Sequence, residues 1–355
     1  MNNLQLEKVI KNMHAEGLKQ ILVCAPKSIQ YLTGRFIAPG ERLVALIIDQ
    51  SGKAQLIANK LFAQTPLEGA ELIEYSDTDD SAKVLANCVN YATLGVDKEF
   101  KSRFLLPLMA KRPDIKMVLG STPVELARMI KTEDELEKMR YSSLLNDRAI
   151  EETIMSVRDG MSERELADNY VAASKRIAEG ESFESLVCFG KNAAEPHHET
   201  GDTRLKRGDA VIIDVGLMYR DYCSDMTRTV FFSEASEEQK YIYELVRQAN
   251  AAGRAAVRPG VKLKDVDAAA RKVISDAGYG QYFIHRTGHN IGLEVHEYPD
   301  VSSTSEIICQ KGMTFSVEPG IYLPGRFGVR VEDLVEVTND GCNTMNKLSR
   351  ELRII

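Results

Sequence analysis

Two aspartates interrupt apolar segments in the second half of the 355-residue chain. Asp214 stands within the apolar run 211–216, and Asp225 stands within the next strand-like segment, 222–229. Burying one unpaired carboxylate is costly, and two that lie close together also repel each other, so a cation between them would relieve both penalties. Either aspartate alone could instead be satisfied by Arg228 and backbone amides.

Two glutamates repeat this pattern further along the chain. Glu318 interrupts the apolar segment 314–320, and Glu332 ends the segment 329–332. Side chains alternate between the two faces of a strand, so Arg330 and Glu332 are expected to point the same way. The spacings within the two acidic pairs are 11 and 14 residues, which favours two hairpins that each direct two carboxylates inward. One arginine cannot balance four buried acids.

Histidines are scarce and clustered, since the chain has 6 and five of them lie between positions 197 and 296. His285, His289 and His296 fall within 12 residues, with Gly288 and Gly292 among them. Glycine allows a sharp bend or the close approach of a ligand to the backbone. The segment lacks the HExxH pattern of zinc peptidases. A lone histidine is usually structural, but this grouping indicates a functional site.

Four carboxylates and one imidazole form a donor set for divalent cations. Oxygen-rich ligation suits Mn²⁺, and Zn²⁺ or Co²⁺ are alternatives. Because carboxylates can bridge, five ligands are enough for two metals about 3.5–4 Å apart, a pair that makes hydroxide available near neutral pH and polarises a carbonyl. The chemistry that these residue types indicate is hydrolysis.

The elements that must position these residues repeat in their order, which predicts a domain with a pseudo-two-fold repeat over 132–355. Helix starts with capping-box spacing occur at Thr132, Ser162 and Ser236. In each half, two helices precede a pair of strands. The predicted strands span 210–218, 222–232, 313–323 and 328–338.

Residues 1–125 are predicted to form a separate, small α/β domain. Apolar residues recur at helical spacing near the N-terminus, and short apolar runs follow, as is typical of strands between helices. No glycine-rich phosphate loop opens any of its helices, so no cofactor is assigned to it. The predicted helix covers 6–13, and the predicted strands cover 21–23, 43–48, 94–96 and 117–119.

Composition excludes several classes of protein. A composition of 44% hydrophobic and 27% charged residues is typical of a soluble, globular protein, and the length of the chain allows two domains. No apolar run is long enough to span a membrane, and residues 1–7 lack the pattern of a secretory signal. A net charge of −7 without a basic block argues against nucleic-acid binding. The 6 cysteines are scattered, typical of reduced thiols, and we expect a cytoplasmic protein.

The chain resembles a known family around the residues described above. The segments at Asp214, Asp225, 285–297, 318–320 and 330–332 match, in order, the metallopeptidases that include prolidase, Xaa-Pro aminopeptidase and methionine aminopeptidase. These enzymes share the pita-bread fold. The N-terminal part is similar to the creatinase-type domain of the proline-specific members, which methionine aminopeptidases usually lack.

This resemblance implies a mixed α/β and α+β protein, with a small α/β N-terminal domain and a pita-bread catalytic domain. It also implies a metallo-exopeptidase, either an Xaa-Pro dipeptidase or an Xaa-Pro aminopeptidase, that hydrolyses proline-containing dipeptides or peptides. A homodimer is expected from the same relationship, with no nucleic-acid or membrane partner.

The resemblance assigns roles residue by residue. It implies two divalent metal ions per subunit, with Asp225 and Glu332 as the bridging pair and Asp214 completing the second site. A hydroxide that bridges the metals would attack the scissile carbonyl. Creatinase shares the fold but lacks the ligands and works without metal, so it is disfavoured. The five implied ligands are Asp214, Asp225, His289, Glu318 and Glu332.

Other matching residues are implied to act on the substrate. His197 and His296 would be catalytic, with His296 stabilising the oxyanion, and Glu318 would also carry a proton to the leaving prolyl nitrogen. His285 and Arg330 would bind substrate, although Arg330 could equally serve only to balance the acids. Tyr322 is a further candidate for a polar contact. His198 is expected to point away from the site and to have no catalytic role.

Two positions depart from the family's usual glycine, namely Asn290 after the ligand histidine and Asp221 before the second aspartate. Neither is a ligand, but both could alter the shape of the pocket.

Two other functions remain open at this point. The first is a pita-bread protein that binds peptides without catalysis, which the complete ligand set disfavours. The second is a hydrolase of a non-peptide amide or C–N bond, which a substrate panel would distinguish.

Overall fold

The computed structural model describes residues 1–355 and divides the chain into two compact units, Met1–Arg128 and Met129–Ile355. None of its helices combines the length and the apolar character that crossing a membrane requires.

A mixed six-stranded sheet forms the centre of the N-terminal unit. Its strands are β1 Gln20–Val23, β2 Ala45–Asp49, β3 Ala54–Asn59, β4 Glu71–Tyr75, β5 Thr93–Val96 and β6 Lys116–Leu119. The strand order is β4-β3-β2-β1-β5-β6, and β1–β2 and β2–β3 are the antiparallel pairs. The helices are α1 Asn3–Ala15, α2 Pro26–Thr33, α3 Ser81–Asn87, α4 Ser102–Lys111 and α5 Thr122–Met129. The predicted small α/β domain is confirmed, and its apolar strand residues, such as Leu22, Ile47 and Leu94, lie in the core.

Four helices belong to the second unit: α6 Glu133–Met155, α7 Glu163–Ile177, α8 Glu237–Ala256 and α9 Leu263–Asp276. The predicted capping boxes at Thr132, Ser162 and Ser236 all form, because each hydroxyl accepts the N–H of the residue three positions later and that residue's side chain bonds back. Three of the four helices therefore begin at the residues that these capping boxes predict.

The strands of the second unit fall into two main sheets and two short ribbons. The strands are β7 Leu186–Phe189, β8 Ala210–Val215, β9 Met218–Tyr219, β10 Tyr222–Cys223, β11 Met226–Phe231, β12 Gly288–Asn290, β13 Glu297–Val301, β14 Thr314–Val317, β15 Gly320–Leu323, β16 Phe327–Arg330, β17 Asp333–Val337 and β18 Cys342–Thr344. The main sheets have the orders β11-β8-β7 and β13-β12-β14-β17-β18, and the ribbons are β9–β10 and β15–β16.

Helices and strands of each half share a core. Tyr170 of α7 packs with Val211 and Ile213 of β8, whereas Tyr243 of α8 packs with Phe231 and Val329. In both halves a long helix and a shorter helix precede the strands, which is the repeat of element order that the sequence predicts.

The prediction of four long strands for this unit is wrong in one respect, because each predicted strand is divided into two shorter ones. The segment 313–323 splits into β14 and β15, which belong to different sheets, and the break lies at Glu318 and Pro319. Proline has no N–H to donate to a ladder, so the strand cannot continue through it. The segment 328–338 breaks in the same way at Val331 and Glu332. Three of the four acidic residues lie at such breaks.

Candidate metal centre

The three-stranded sheet brings Asp214 and Asp225 together. Asp214 is the penultimate residue of β8 and lies opposite Thr227 of β11 in the antiparallel register. Asp225 lies in the break between β10 and β11, immediately before Met226. Asp214 near the end of β8 and Asp225 just before the start of β11 therefore lie at the same end of the sheet.

Glu318 and Glu332 reach this place through backbone bonds at their strand breaks. The N–H of Glu318 donates to the carbonyl of Thr287 at 2.8 Å, and the N–H of Glu332 donates to the carbonyl of Thr227 at 3.1 Å. The second bond joins the two halves of the repeat. It sets Glu332 beside the strand that follows Asp225.

His289 lies in β12, where the backbone approaches β14 very closely. A Cβ added to the preceding Gly288 would lie 1.9 Å from the carbonyl oxygen of Ser316, so only glycine is tolerated there. His289 Nδ1 lies 3.2 Å from the carbonyl oxygen of Asn290, which leaves Nε2 to face the acids. That atom is 3.6 Å from Asp225 Oδ2 and 3.5 Å from Glu318 Oε1.

The resulting cluster has the geometry of a cation site. Ligand atoms of Asp225, His289 and Glu332 all lie within 4.8 Å of one another. Among the proposed ligands, three buried carboxylate oxygens have no hydrogen-bond partner, namely Asp214 Oδ1, Asp225 Oδ1 and Glu332 Oε1. Buried polar atoms are rarely left unpaired, and hard carboxylate oxygens beside an imidazole suit divalent cations. The residues therefore fit a bound metal.

The pKa shifts of the proposed ligands also fit a bound metal. Burial, followed by repulsion from neighbouring acids, raises the pKa of Asp225 and of Glu332 well above the ordinary range. Burial also raises the pKa of Glu318 to about 7, against the opposing charge of Arg330. For His289, burial and the nearby His296 lower the pKa to about 3, so its imidazole is neutral at neutral pH. A neutral imidazole is the state that ligates metal.

Arg330 is buried at the centre of a network. Its Nη2 donates to Asp214 Oδ2 at 2.5 Å, and its Nε donates to Thr227 Oγ1 at 3.0 Å. Thr227 Oγ1 in turn donates to Glu332 Oε2 at 2.7 Å. These bonds favour the charge-balancing role for Arg330, which stays compatible with a role in binding substrate. Thr227 was not a sequence candidate, although its position two residues after Asp225 on one strand was a usable signal.

His285 and Tyr322 extend this network. Arg330 Nη1 donates to Tyr322 Oη at 2.8 Å, and Tyr322 Oη lies 2.9 Å from His285 Nε2. His285 Nδ1 is 2.7 Å from the carbonyl oxygen of Arg286, so Nδ1 carries the proton and Nε2 accepts from the tyrosine. Burial, followed by the charge of Arg330, lowers the pKa of His285 to about 4.

Two other histidines named from the sequence lie near the cluster. The ring of His296 packs on that of His289 with centroids 4.2 Å apart, and burial lowers the pKa of His296. His197 is exposed, and a positive charge on its ring would oppose protonation of both His285 and His296, so His197 lies within electrostatic range of these two residues.

His198 has a different partner. Its Nε2 lies 3.1 Å from Glu163 Oε2, and the same carboxylate accepts the backbone N–H groups of Phe189 and Gly201. Glu163 is fully buried at the start of α7. The contact between His198 and Glu163 holds the segment that carries His197 in place. This structural contact agrees with the non-catalytic role expected of His198.

The two departures from glycine have structural explanations. The side chain of Asn290 donates to the carbonyl oxygen of Tyr298 at 3.1 Å and accepts from Lys131 Nζ at 3.3 Å, so it braces the segment after His289. Asp221 has a φ of +69° in the β9–β10 turn, and Arg220 before it has a φ of +49°. This left-handed conformation explains why glycine is common there, and aspartate tolerates it better than most residues.

Comparisons with known proteins agree along the whole chain. Residues 137–339 match metallopeptidase family M24, and residues 5–130 match the creatinase/prolidase N-terminal domain. An uncharacterized peptidase of Staphylococcus aureus strain MSSA476 is 37% identical over 349 residues, which cover 95% of this chain and 97% of that protein.

Two solved structures are similar at the level of the fold as well. A dipeptidase of Pyrococcus horikoshii superposes with a TM-score of 0.92 at 36% identity, covering 99% of this chain and 100% of that one. A prolidase of Thermococcus sibiricus gives a TM-score of 0.93 at 34% identity, covering 99% and 98% of the two chains. The chain belongs to metallopeptidase family M24, in the form that carries a creatinase/prolidase N-terminal domain.

Proposed function

We propose that this metallopeptidase hydrolyses the Xaa-Pro peptide bond and releases the N-terminal residue from dipeptides or short peptides. The observation that carries the proposal is the buried group of Asp225, His289 and Glu332, whose ligand atoms lie within 4.8 Å of one another and whose two carboxylates each keep an oxygen without a hydrogen-bond partner. The proline specificity is supported by the prolidase that resembles this chain over almost its full length.

In this proposal five residues hold two divalent cations: Asp214, Asp225, His289, Glu318 and Glu332. Asp225 and Glu332 would bridge the pair, and their mutual repulsion in the metal-free protein is the penalty that the cations remove. When bound, two such ions supply a hydroxide near neutral pH and polarise a carbonyl oxygen. The oxygen-rich donor set favours Mn²⁺, with Zn²⁺ and Co²⁺ as alternatives.

The chain's own residues then act on the peptide. A neutral His296 keeps an N–H that can donate to the oxyanion developing on the scissile carbonyl. The side chain of Glu318 is 16% exposed, against 5% for Asp225, so it can reach the leaving prolyl nitrogen and deliver a proton. His197 would act with His296 at the reacting centre, and His285 and Arg330 would orient the substrate. Arg330 also holds Asp214 in place through its 2.5 Å bond.

The substrate class has a chemical rationale. The Xaa-Pro bond is a tertiary amide without an N–H, so enzymes that bind the peptide N–H of their substrate handle it poorly. His296 would act on the carbonyl oxygen of the scissile bond, so its role does not require that N–H. The reaction still requires a proton for the prolyl nitrogen, which is the role given to Glu318.

The test is a substrate panel with purified protein and added Mn²⁺. We expect release of alanine from Ala-Pro, Ala-Pro-Ala or both, much less from Ala-Ala, and loss of activity with a chelator that excess Mn²⁺ restores. Comparing the dipeptide with the tripeptide separates a dipeptidase from an aminopeptidase. No release from either proline substrate with Mn²⁺, Zn²⁺ or Co²⁺ would exclude the proposed substrate class.

A further inference from the structure

Asn250 of α8 bridges the two strand breaks that carry the glutamates. Its side chain is fully buried, and Nδ2 lies 2.9 Å from the carbonyl oxygen of Val317 and 3.3 Å from that of Val331. These two valines directly precede Glu318 and Glu332. We propose that Asn250 is a positioning residue that sets the distance between the two glutamates, and this inference rests on the metal-binding role proposed for them.

The orientation of the amide is fixed from its other end. Asn250 Oδ1 accepts from Arg254 Nε at 2.8 Å, one helical turn further along α8. A guanidinium can only donate, so the atom that faces it must be oxygen, and the NH₂ group must face the two carbonyls. Arg254 Nε also lies 3.6 Å from Asp333 Oδ2, and Asp333 follows Glu332 in the chain. Asn250 therefore contacts the backbone just before Glu332, and Arg254 contacts the side chain of the residue just after it.

The approach of α8 to the glutamates is itself unusually close. Gly253 lies three residues after Asn250, and a Cβ added there would lie 2.8 Å from Val317 Cγ1. A side chain at this position would push the helix away from β14. Asn is a short side chain, so even a small displacement of α8 would break its bonds to both carbonyls.

The other half of the repeat contains a matching device. Asn146 of α6 is fully buried, and its Nδ2 donates to the carbonyl oxygen of Val215 at 3.0 Å, directly after Asp214. Its Oδ1 accepts from Tyr170 Oη at 2.6 Å. The first helix of each half thus places a buried asparagine on a backbone carbonyl adjacent to a proposed ligand. Asn250 differs in that it joins two such carbonyls.

The experiment compares Mn²⁺ binding by metal-free wild-type protein, Asn250→Asp and Asn250→Ser, measured by calorimetric titration after the fold is verified by circular dichroism. Aspartate keeps the acceptor for Arg254 but removes both donors, and serine is a smaller replacement that leaves room for water if Asn250→Asp does not fold. We expect Mn²⁺ affinity to fall by about tenfold or more, as for other residues that orient ligands. For Xaa-Pro substrates, kcat should fall more than KM rises.

Val246→Ala is the matched control, since Val246 is fully buried one turn earlier on the same helix and carries no polar group. It should lower the melting temperature through a cavity while Mn²⁺ affinity stays at the wild-type value. Wild-type affinity in both Asn250 variants, or an equal loss of affinity in Val246→Ala, would overturn the inference. Either result beside an active wild type leaves the proposed function intact. A wild type that binds no divalent metal would overturn both.

Discussion

Thr227→Val would remove the hydroxyl that joins Arg330 to Glu332. Thr227 has no exposed surface, and its Oγ1 accepts from Arg330 Nε at 3.0 Å while donating to Glu332 Oε2 at 2.7 Å. Valine has nearly the same shape but cannot form either bond. The substitution therefore isolates the bonds from the packing.

The expected loss can be worked from these two bonds. A hydrogen bond to an ionised partner contributes about 1.5–3 kcal/mol, which applies to Arg330, and a neutral one contributes about 1 kcal/mol. The neutral value applies to Glu332, because burial and nearby acids raise its pKa and favour the protonated form without metal. The methyl group that valine adds stabilises the folded state by about 0.8 kcal/mol, which offsets part of this loss. The free energy of unfolding should fall by about 2–3 kcal/mol.

Thr229→Val is a closely matched control on the same strand. Thr229 is also buried, and its hydroxyl bonds only to the backbone of Arg330, accepting the N–H at 3.1 Å and donating to the carbonyl at 2.8 Å. Both partners are neutral, so the expected loss is about 1 kcal/mol after the methyl group is counted.

The assay is urea unfolding at pH 7 in chelator, followed by Mn²⁺ titration of the folded variants. The midpoint should fall further for Thr227→Val than for Thr229→Val, with similar slopes for both variants. Mn²⁺ affinity should weaken about tenfold in Thr227→Val alone. Equal destabilisation of the two variants, or unchanged Mn²⁺ affinity in Thr227→Val, would refute the role given to this hydroxyl.

Two other expectations follow from the site, and a third follows from the family resemblance. Asp225→Asn and Glu332→Gln should each abolish Xaa-Pro hydrolysis, yet in chelator at pH 7 their urea midpoints should equal or exceed that of wild type, because the raised pKa values mean that ionisation destabilises the folded state. A lower midpoint in both variants would contradict the repulsion. The pKa of His285 is lowered from 6.5 to about 4, so the contribution of this histidine to stability should fall as pH drops through that interval, by up to about 3 kcal/mol. His285→Gln should flatten this part of the stability profile, and an unchanged profile would exclude His285 as its source. The homodimer expected from the family resemblance should give twice the chain mass of 39.6 kDa in light scattering after size exclusion, whereas the single mass would exclude it.

Local signals predicted much of the fold. The capping boxes at Thr132, Ser162 and Ser236 depend on residues three positions apart, so sequence alone contains them. Pairs of carboxylates in apolar segments likewise predicted which residues gather at one place. The repulsion between such carboxylates is by itself a reason to expect a cation.

The strand breaks and the supporting network were not predictable in the same way. Alternation along a strand placed Arg330 and Glu332 on one face, but the strand ends at Arg330, and the position of Glu332 depends on its backbone bond to Thr227. That bond joins residues 105 positions apart. Asn250 presents a similar difficulty, because a buried asparagine on an otherwise amphipathic helix gives no sequence sign of the two carbonyls it contacts.

Anomalous diffraction from crystals soaked in Mn²⁺ tests the central claim most directly. Data collected at the manganese edge should show two peaks between Asp214, Asp225, His289, Glu318 and Glu332, with Asp225 and Glu332 contacting both. Crystals of Asp225→Asn, treated identically, should lose at least one peak. The absence of any peak among these five side chains in fully soaked wild-type crystals would contradict the account.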